Sequence, residues 1–132
     1  MADILVVEDE PDLRELIVDE IECMGHRATL ARDGREALKC LAAKEPQVIL
    51  SDINMPGMNG CEFRREMVKK FSHLGNVPFV FVSAYADRND IIDAMEVGAD
   101  HFITKPIDFE SLRELVQNLV GGKQQTENWS EF

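Results

Sequence analysis

The sequence predicts an α/β fold, a parallel sheet with helices packed on both faces. Short apolar runs of strand character alternate five times with segments of helical period. Gly, Pro, Asp or Asn stands at most of the junctions, where a chain changing direction needs such residues. Two of the runs, Val48-Ile49-Leu50 and Phe79-Val80-Phe81-Val82, are continuously apolar, as strands covered on both sides are. Strands separated by helices lie parallel, because the right-handed crossover between them carries each helix onto a face of the sheet.

The first strand, Ile4-Leu5-Val6-Val7, runs directly into Glu8-Asp9-Glu10-Pro11-Asp12. Pro11 and Asp12 suit the first turn of a helix, where a missing N–H costs little and a carboxylate meets the positive end of the dipole. Leu13, Leu16, Ile17, Ile21 and Met24 then recur at helical spacing and stop at Gly25. Arg27 to Ala31 alternates polar and apolar residues, the pattern of a half-buried strand. Asp33-Gly34 opens a second helix with Ala37, Leu38 and Leu41 inward, ended by Pro46. The third strand is Val48-Ile49-Leu50-Ser51, and Asp52 leads from it into the turn-forming stretch Asn54-Met55-Pro56-Gly57-Met58-Asn59-Gly60. Asn59 caps a third helix with Glu62 in the capping-box position and Phe63, Met67 and Phe71 on one face. The fourth strand precedes a helix carrying Ile91, Ile92 and Met95 and ending at Gly98. A brief fifth strand lies around Phe102-Ile103. Leu112, Leu115, Val116 and Leu119 form the last helix, stopped by Gly121-Gly122.

A chain of 132 residues with 45% hydrophobic residues fits one domain that buries its core without disulfide or metal staples. The formal net charge of -11 argues against direct nucleic-acid binding, which needs a basic patch. The one cationic cluster, Arg64-Arg65 with Lys69-Lys70, reads as a solvated helix face. No run is long and apolar enough to span a bilayer, and the chain begins on strand residues rather than a leader, so a cytoplasmic location without membrane insertion is expected. Cys23, Cys40 and Cys61 have neither metal-site nor disulfide spacing and read as reduced core or boundary residues. His26, His73 and His101 are scattered, and no chemistry is assigned to them.

The chemistry gathers at strand ends. Asp52 closes the third strand, and Glu8-Asp9 closes the first. Taken alone, Asp52 reads as a turn or cap residue and the acidic pair as a helix N-terminus. On neighbouring strands, however, these carboxylates repel one another unless protons or a divalent cation intervene. Oxygen-only ligands without His or Cys favour Mg²⁺. Ser83 and Lys105 follow the fourth and fifth strands, so acidic, hydroxyl and ammonium groups share one edge of four of the five strands. That set suits phosphoryl chemistry, in which a metal, a lysine, a hydroxyl and backbone N–H groups neutralise phosphoryl oxygens.

These residues, in this order along five strand-helix units, resemble the receiver domains of two-component response regulators. The resemblance rests on Glu8-Asp9, the Ser51-to-Gly60 stretch around Asp52, Ser83-Ala84 and Lys105-Pro106, and covers Asp3 to about Val120. It implies a flavodoxin-like, doubly wound (βα)5 fold with a five-stranded parallel sheet of order 2-1-3-4-5, the order that general accounts of doubly wound sheets illustrate with a chemotaxis receiver. Residues 1–120 form the receiver in this reading, and residues 121–132 form a polar, flexible tail in which Trp129 and Phe132 stand out. The resemblance further implies that Asp52 accepts a phosphoryl group from a sensor histidine kinase or histidine phosphotransfer protein. Asp9, Asp52 and the Asn54 carbonyl would bind Mg²⁺, with Mn²⁺ as a substitute, and Glu8 would act through water. Ser83, Lys105 and the N–H groups of Asn54 and Ala84 would hold phosphoryl oxygens. Ser83 and Phe102 would form the switch that reshapes the face of the fourth helix, fifth strand and fifth helix for a downstream protein. Asn54 and Tyr85 would tune phosphoryl lifetime, and the Lys105-Pro106 peptide would be cis.

Two other classes fit less well. A phosphatase of the haloacid-dehalogenase type needs a second Asp two residues after its nucleophile, and Asn54 stands there. A phosphorylation-independent interaction module would have no use for the intact set Glu8, Asp9, Asp52, Ser83 and Lys105. A dinucleotide fold is excluded because Glu8-Asp9-Glu10 occupies the place of the glycine-rich phosphate loop. The chain is therefore read as a phosphoacceptor switch that assists its own phosphorylation and dephosphorylation, and not as an enzyme acting on other substrates.

Overall fold

A computed structural model describes residues 1–84 and 88–121. Its strands are β1 (Asp3–Val7), β2 (Arg27–Ala31), β3 (Val48–Asp52), β4 (Phe79–Ser83) and β5 (His101–Thr104), and its helices are α1 (Pro11–Cys23), α2 (Gly34–Ala43), α3 (Gly60–Lys70), α4 (Arg88–Glu96) and α5 (Phe109–Val120). A 3-10 turn, Ser72–Leu74, follows α3. The five strands form one parallel sheet of order β2-β1-β3-β4-β5.

The period-two alternation of the strands divides the core into two layers. Leu5, Val7, Ile49, Phe79, Phe81 and Phe102 face one side and pack with Ala37 and Leu41 of α2, Phe63 and Met67 of α3, and Ala94 of α4. Ile4, Val6, Val48, Leu50 and Val80 face the other and pack with Ile17 and Ile21 of α1 and Leu112, Val116 and Leu119 of α5. β3 and β4 are buried along their whole length, as their continuous apolar runs require, whereas the edge strand β2 is only half-buried.

The helix starts follow the sequence signals. Asp33 accepts a hydrogen bond from the Glu36 N–H at 2.9 Å, and Asn59 and Glu62 form the reciprocal capping box. Caps of this kind are worth about 1 kcal/mol each. α1 and α4 end at Gly25 and Gly98, as the sequence marks.

Four expectations change. Leu16 stands on the outer side of α1 and is 52% exposed, because Ile17 and Ile21 face the sheet and leave Leu16 outward. Ile92 and Met95 are exposed on α4, which turns Ile91 and Ala94 inward instead. Cys23 is exposed at the end of α1, although none of the three cysteines is in a disulfide. Arg64 is buried rather than part of a solvated cationic face, while Arg65, Lys69 and Lys70 remain outside. Among the described residues, no helix is long and apolar enough to cross a membrane.

Candidate functional site

Parallel pairing brings the strand ends together. Val7 lies opposite Ser51, Asp52 opposite Val82, and Ser83 opposite Thr104, so the residues closing β1, β3, β4 and β5 converge on one edge. In open α/β sheets this carboxyl edge, at the point where strand order reverses, is where ligands bind. Backbone ladders continue past the strands to fix two of the functional residues. The Glu8 N–H donates to Ala31 O at 3.0 Å, and the Lys105 N–H donates to Ser83 O at 2.9 Å. The Lys105-Pro106 peptide that follows is cis.

Glu8, Asp9 and Asp52 each present an oxygen, and these oxygens all lie within 4.8 Å of one another. Lys105 Nζ reaches into the same cluster. It stands 3.0 Å from Asp52 Oδ2, 3.1 Å from Glu8 Oε1 and 3.5 Å from Glu10 Oε1. The contact to Asp52 is a hydrogen bond. The contact to Glu8 Oε1 falls outside hydrogen-bond geometry, which leaves that buried oxygen with an ionic partner and no directional donor.

Electrostatics follow from this crowding. Burial, then the neighbouring Asp52 carboxylate, pushes Glu8 up to about 7, against the opposing pull of the Glu10 N–H and Lys105. Burial disfavours the Lys105 ammonium, but Asp52 and Glu8 more than offset it and hold the lysine above its ordinary value. Among the described residues, three carboxyl groups share one ammonium, so negative charge is in surplus here. The donor set is all oxygen, and Glu8 Oε1 is buried without a hydrogen-bond donor. Such a site fits a hard divalent cation, Mg²⁺ above all.

The loop after β3 completes the site. The Asn54 N–H donates to Asp52 Oδ1 at 3.2 Å, and Asn54 Nδ2 donates to the buried Ser83 Oγ at 3.1 Å. Asp52 thus has one oxygen on Lys105 and the other on the loop backbone. Gly60 lets α3 begin directly against the strand end. Its N–H donates to Ile53 O at 2.7 Å, and a Cβ there would overlap the Asp52 carbonyl oxygen and stand 2.8 Å from Ile53 Cα. Ala84 is exposed just beyond Ser83, and Phe102 is buried in the core layer of α3 and α4. Tyr85 and the tail residues Trp129 and Phe132 lie outside the described residues.

Three contributors escaped the sequence reading. Glu10 lends a third carboxylate to Lys105, Arg14 Nη1 donates to the Glu8 carbonyl at 3.0 Å, and Gly60 provides the close approach. Arg14 lies one helical turn after Glu10, a spacing that could have placed it over the strand end. Gly60 stands three residues before the inward Phe63, which marks it as part of the buried helix face. Glu10 gave no signal, since its contact arises only when β5 is brought beside the first loop.

A doubly wound α/β domain with an acidic, lysine-bearing pocket at its strand-order reversal is the class that fold and site define. Residues 4–117 match the response regulator receiver domain family, and the chain belongs to it. It is similar to the regulatory protein AtoC of Escherichia coli, at 34% identity over 117 residues, which cover 89% of this chain and 25% of AtoC. The chain thus corresponds in length to a quarter of that relative. Among solved structures, chemotaxis protein CheY4 of Vibrio cholerae superposes with a TM-score of 0.85 at 29% identity, covering 90% of this chain and 98% of CheY4. Response regulator TrrA of Thermotoga maritima, solved in complex with Mg²⁺-BeF, superposes with a TM-score of 0.78 at 33% identity, covering 90% of this chain and 99% of TrrA. As a receiver domain the chain is a component of two-component phosphorelay signalling, a system in which receivers interact with histidine kinases or phosphotransfer proteins.

Proposed function

We propose that Asp52 is the phosphoacceptor and that residues 1–120 form a Mg²⁺-dependent switch serving a histidine kinase or histidine phosphotransfer protein. The supporting observation is the Asp52 carboxylate, 3.0 Å from Lys105 Nζ and sharing a 4.8 Å oxygen cluster with Glu8 and Asp9. In the transfer, an Asp52 oxygen bonds to phosphorus as the phosphorus-nitrogen bond to the donor's histidine breaks, and the imidazole leaves with that electron pair. Asp9, Asp52 and the Asn54 carbonyl would hold Mg²⁺, or Mn²⁺ in its place, and Glu8 would act through water. The cation, when bound, neutralises carboxylate and phosphoryl oxygens. Lys105 then pairs with a phosphoryl oxygen in place of its present Asp52 contact, while the Ser83 hydroxyl and the N–H groups of Asn54 and Ala84 donate to the others.

The same groups supply the readout. Drawing Ser83 toward the phosphoryl group breaks its hydrogen bond from Asn54, and Phe102, two residues before the Thr104 that pairs with Ser83, adjusts with it. α4, β5 and α5 carry that change to a downstream protein. Asn54, and with it Tyr85, would govern water access and hence the lifetime of the acyl phosphate. The polar tail from residue 121 is assigned no part in the transfer.

Incubation with acetyl phosphate and Mg²⁺ tests the assignment by intact-mass measurement. A gain of one phosphoryl group is expected for the wild type, with none for Asp52→Asn and none after chelation of the metal. Labelling that survives either change would refute the role given to Asp52.

A further inference from the structure

The one charged side chain of α3 that turns inward is Arg64. It lies on the same stripe as Gly60, Phe63 and Met67, and is only 5% exposed. Its Nε donates to Val97 O at 2.9 Å, and its Nη2 donates to Gly98 O at 3.3 Å and Gly75 O at 3.2 Å. The guanidinium carbon sits 5.2 Å from the centre of the Phe79 ring, the first residue of β4. Among the described residues Arg64 makes no salt bridge, and its buried Nη1 has no hydrogen-bond partner. A buried cation without a carboxylate partner costs stability, so its position calls for a purpose beyond filling space. Burial also pulls the guanidinium below its ordinary value, with Asp100 opposing.

Its partners explain the purpose. α4 ends in a Schellman motif, in which the Ala99 N–H donates to Ala94 O and the Gly98 N–H to Met95 O, both at 3.0 Å. That motif leaves the Val97 and Gly98 carbonyls unpaired within the helix, and these are the two that Arg64 takes. A cation at this place also meets the negative end of the helix dipole. Gly98, at φ +89°, is needed twice over: L side chains rarely adopt that conformation, and a Cβ there would stand 3.1 Å from Arg64 Nη2.

Beyond Arg64, this end is held by the buried Ala99 and by Asp100, whose N–H donates to Phe79 O and whose Oδ2 accepts from the Phe79 N–H, both at 2.8 Å, while the apolar face of α4 itself is thin. Its one fully buried side chain among those described is Ala94, with Ile91 and Val97 partly buried and Ile92 and Met95 turned outward. α3, by contrast, buries Phe63 and Met67, and α5 buries Leu112, Leu115, Val116 and Leu119. An element with so thin an apolar face belongs to the easily opened part of a fold.

We infer that Arg64 is a positioning residue that pins the C-terminal end of α4 to α3 and to the Gly75 turn, so that the response to phosphorylation is confined to the end of α4 nearer Ser83 in the chain. The regulatory half of this inference rests on the phosphoacceptor reading; the pinning itself does not. In effect α4 is a lever with a fixed far end. Phosphorylation acts through the strand end at Ser83, and the fulcrum lies at the opposite end of β4, beside Phe79.

Hydrogen exchange, read peptide by peptide on the full chain with and without acetyl phosphate and Mg²⁺, tests both halves. In the untreated wild type, residues 94–99 are expected to exchange slowly. In Arg64→Leu they are expected to exchange about ten-fold faster, while β1 and α1 stay within about two-fold. Gly98→Ala should loosen the same stretch with Arg64 intact, and Arg64→Lys, which keeps the charge but lacks the fork, should restore protection only in part. On phosphorylation the wild type is expected to change in the first turns of α4 and not in residues 94–99, whereas Arg64→Leu should change along the whole helix. Wild-type protection of residues 94–99 in Arg64→Leu, or an equal rise in every peptide, overturns the clamp. Should Arg64→Leu fail to fold, Gly98→Ala and Arg64→Lys decide it by the same criterion. Absence of labelling in the wild type would defeat the phosphoacceptor reading and the lever with it, and the untreated samples would still decide the pinning.

Discussion

The chain buries charge at both ends of β4 and treats it in opposite ways. At the Ser83 end, Glu8, Asp9 and Asp52 crowd around a single lysine, and the carboxylates are in surplus. At the Phe79 end, Arg64 meets three neutral carbonyls and an aromatic face, with no carboxylate in salt-bridge range among the described residues. The first arrangement has unspent attraction for a cation and for whatever a cation brings. The second turns its donors onto backbone that must stay put. Surplus like charge at a strand-order reversal therefore marks a site that binds, and a cation shared among carbonyls marks a site that holds.

Substitutions separate the two ends. The largest effect is expected for Lys105→Ala, which removes the one cationic side chain that, among the described residues, pairs with the acidic cluster. Metal binding should be largely retained, because all three carboxylates remain, while the phosphorylation-induced spectroscopic change is lost. A change equal to that of the wild type would argue against a switch role for Lys105. Next comes Gly60→Ala, whose methyl meets backbone on the Asp52 strand end and cannot be accommodated by a side-chain shift. A loss of about 3 kcal/mol in urea unfolding is expected. Gly34→Ala is its control. The added methyl there meets only the flexible Met58 side chain, and the loss should be about 0.5 kcal/mol or less.

Arg64→Leu removes the donor to three carbonyls and should cost about 2 kcal/mol. Because the guanidinium stays charged throughout, that cost should be the same near about pH 5.5 and about pH 8. The acidic end behaves differently. Glu8 is raised from 4.5 in the unfolded chain to about 7 in the folded one, so its contribution is fully present below about 4.5 and is lost as pH rises through about 7. The metal-free protein should therefore lose on the order of 1–2 kcal/mol from this group over that window, less than the full linkage because Glu8 shares its titration with its charged neighbours. Glu8→Gln should remove most of this pH dependence, and Mg²⁺ should reverse it in the wild type. Parallel pH profiles for wild type and Glu8→Gln would erase the contrast between the two ends.

Much of this organisation was legible in the sequence. A strand end is set by the switch from period two to turn residues, so Glu8, Asp52, Ser83 and Lys105 declared themselves by position alone. The sheet order came only through the resemblance, since periodicity carries no information on which strands are neighbours. Arg64 was misread because charge was weighed above spacing. It sits four residues after Gly60 and three before Met67, and that stripe was the signal that it turns inward. Leu16 was misread for the converse reason, an apolar residue beside the true inward pair Ile17 and Ile21. The reach of Lys105 to Glu10 depends on tertiary placement that no local pattern encodes.

The central claim, that Asp52 carries the phosphoryl group, is tested most directly by chemical mapping. Borohydride reduction of an aspartyl phosphate leaves homoserine in place of the aspartate, and peptide sequencing by mass spectrometry locates it. Homoserine at position 52, present only when donor and Mg²⁺ were both supplied, is the expected result. Homoserine at another position, or none in protein that has demonstrably gained a phosphoryl group, would contradict it.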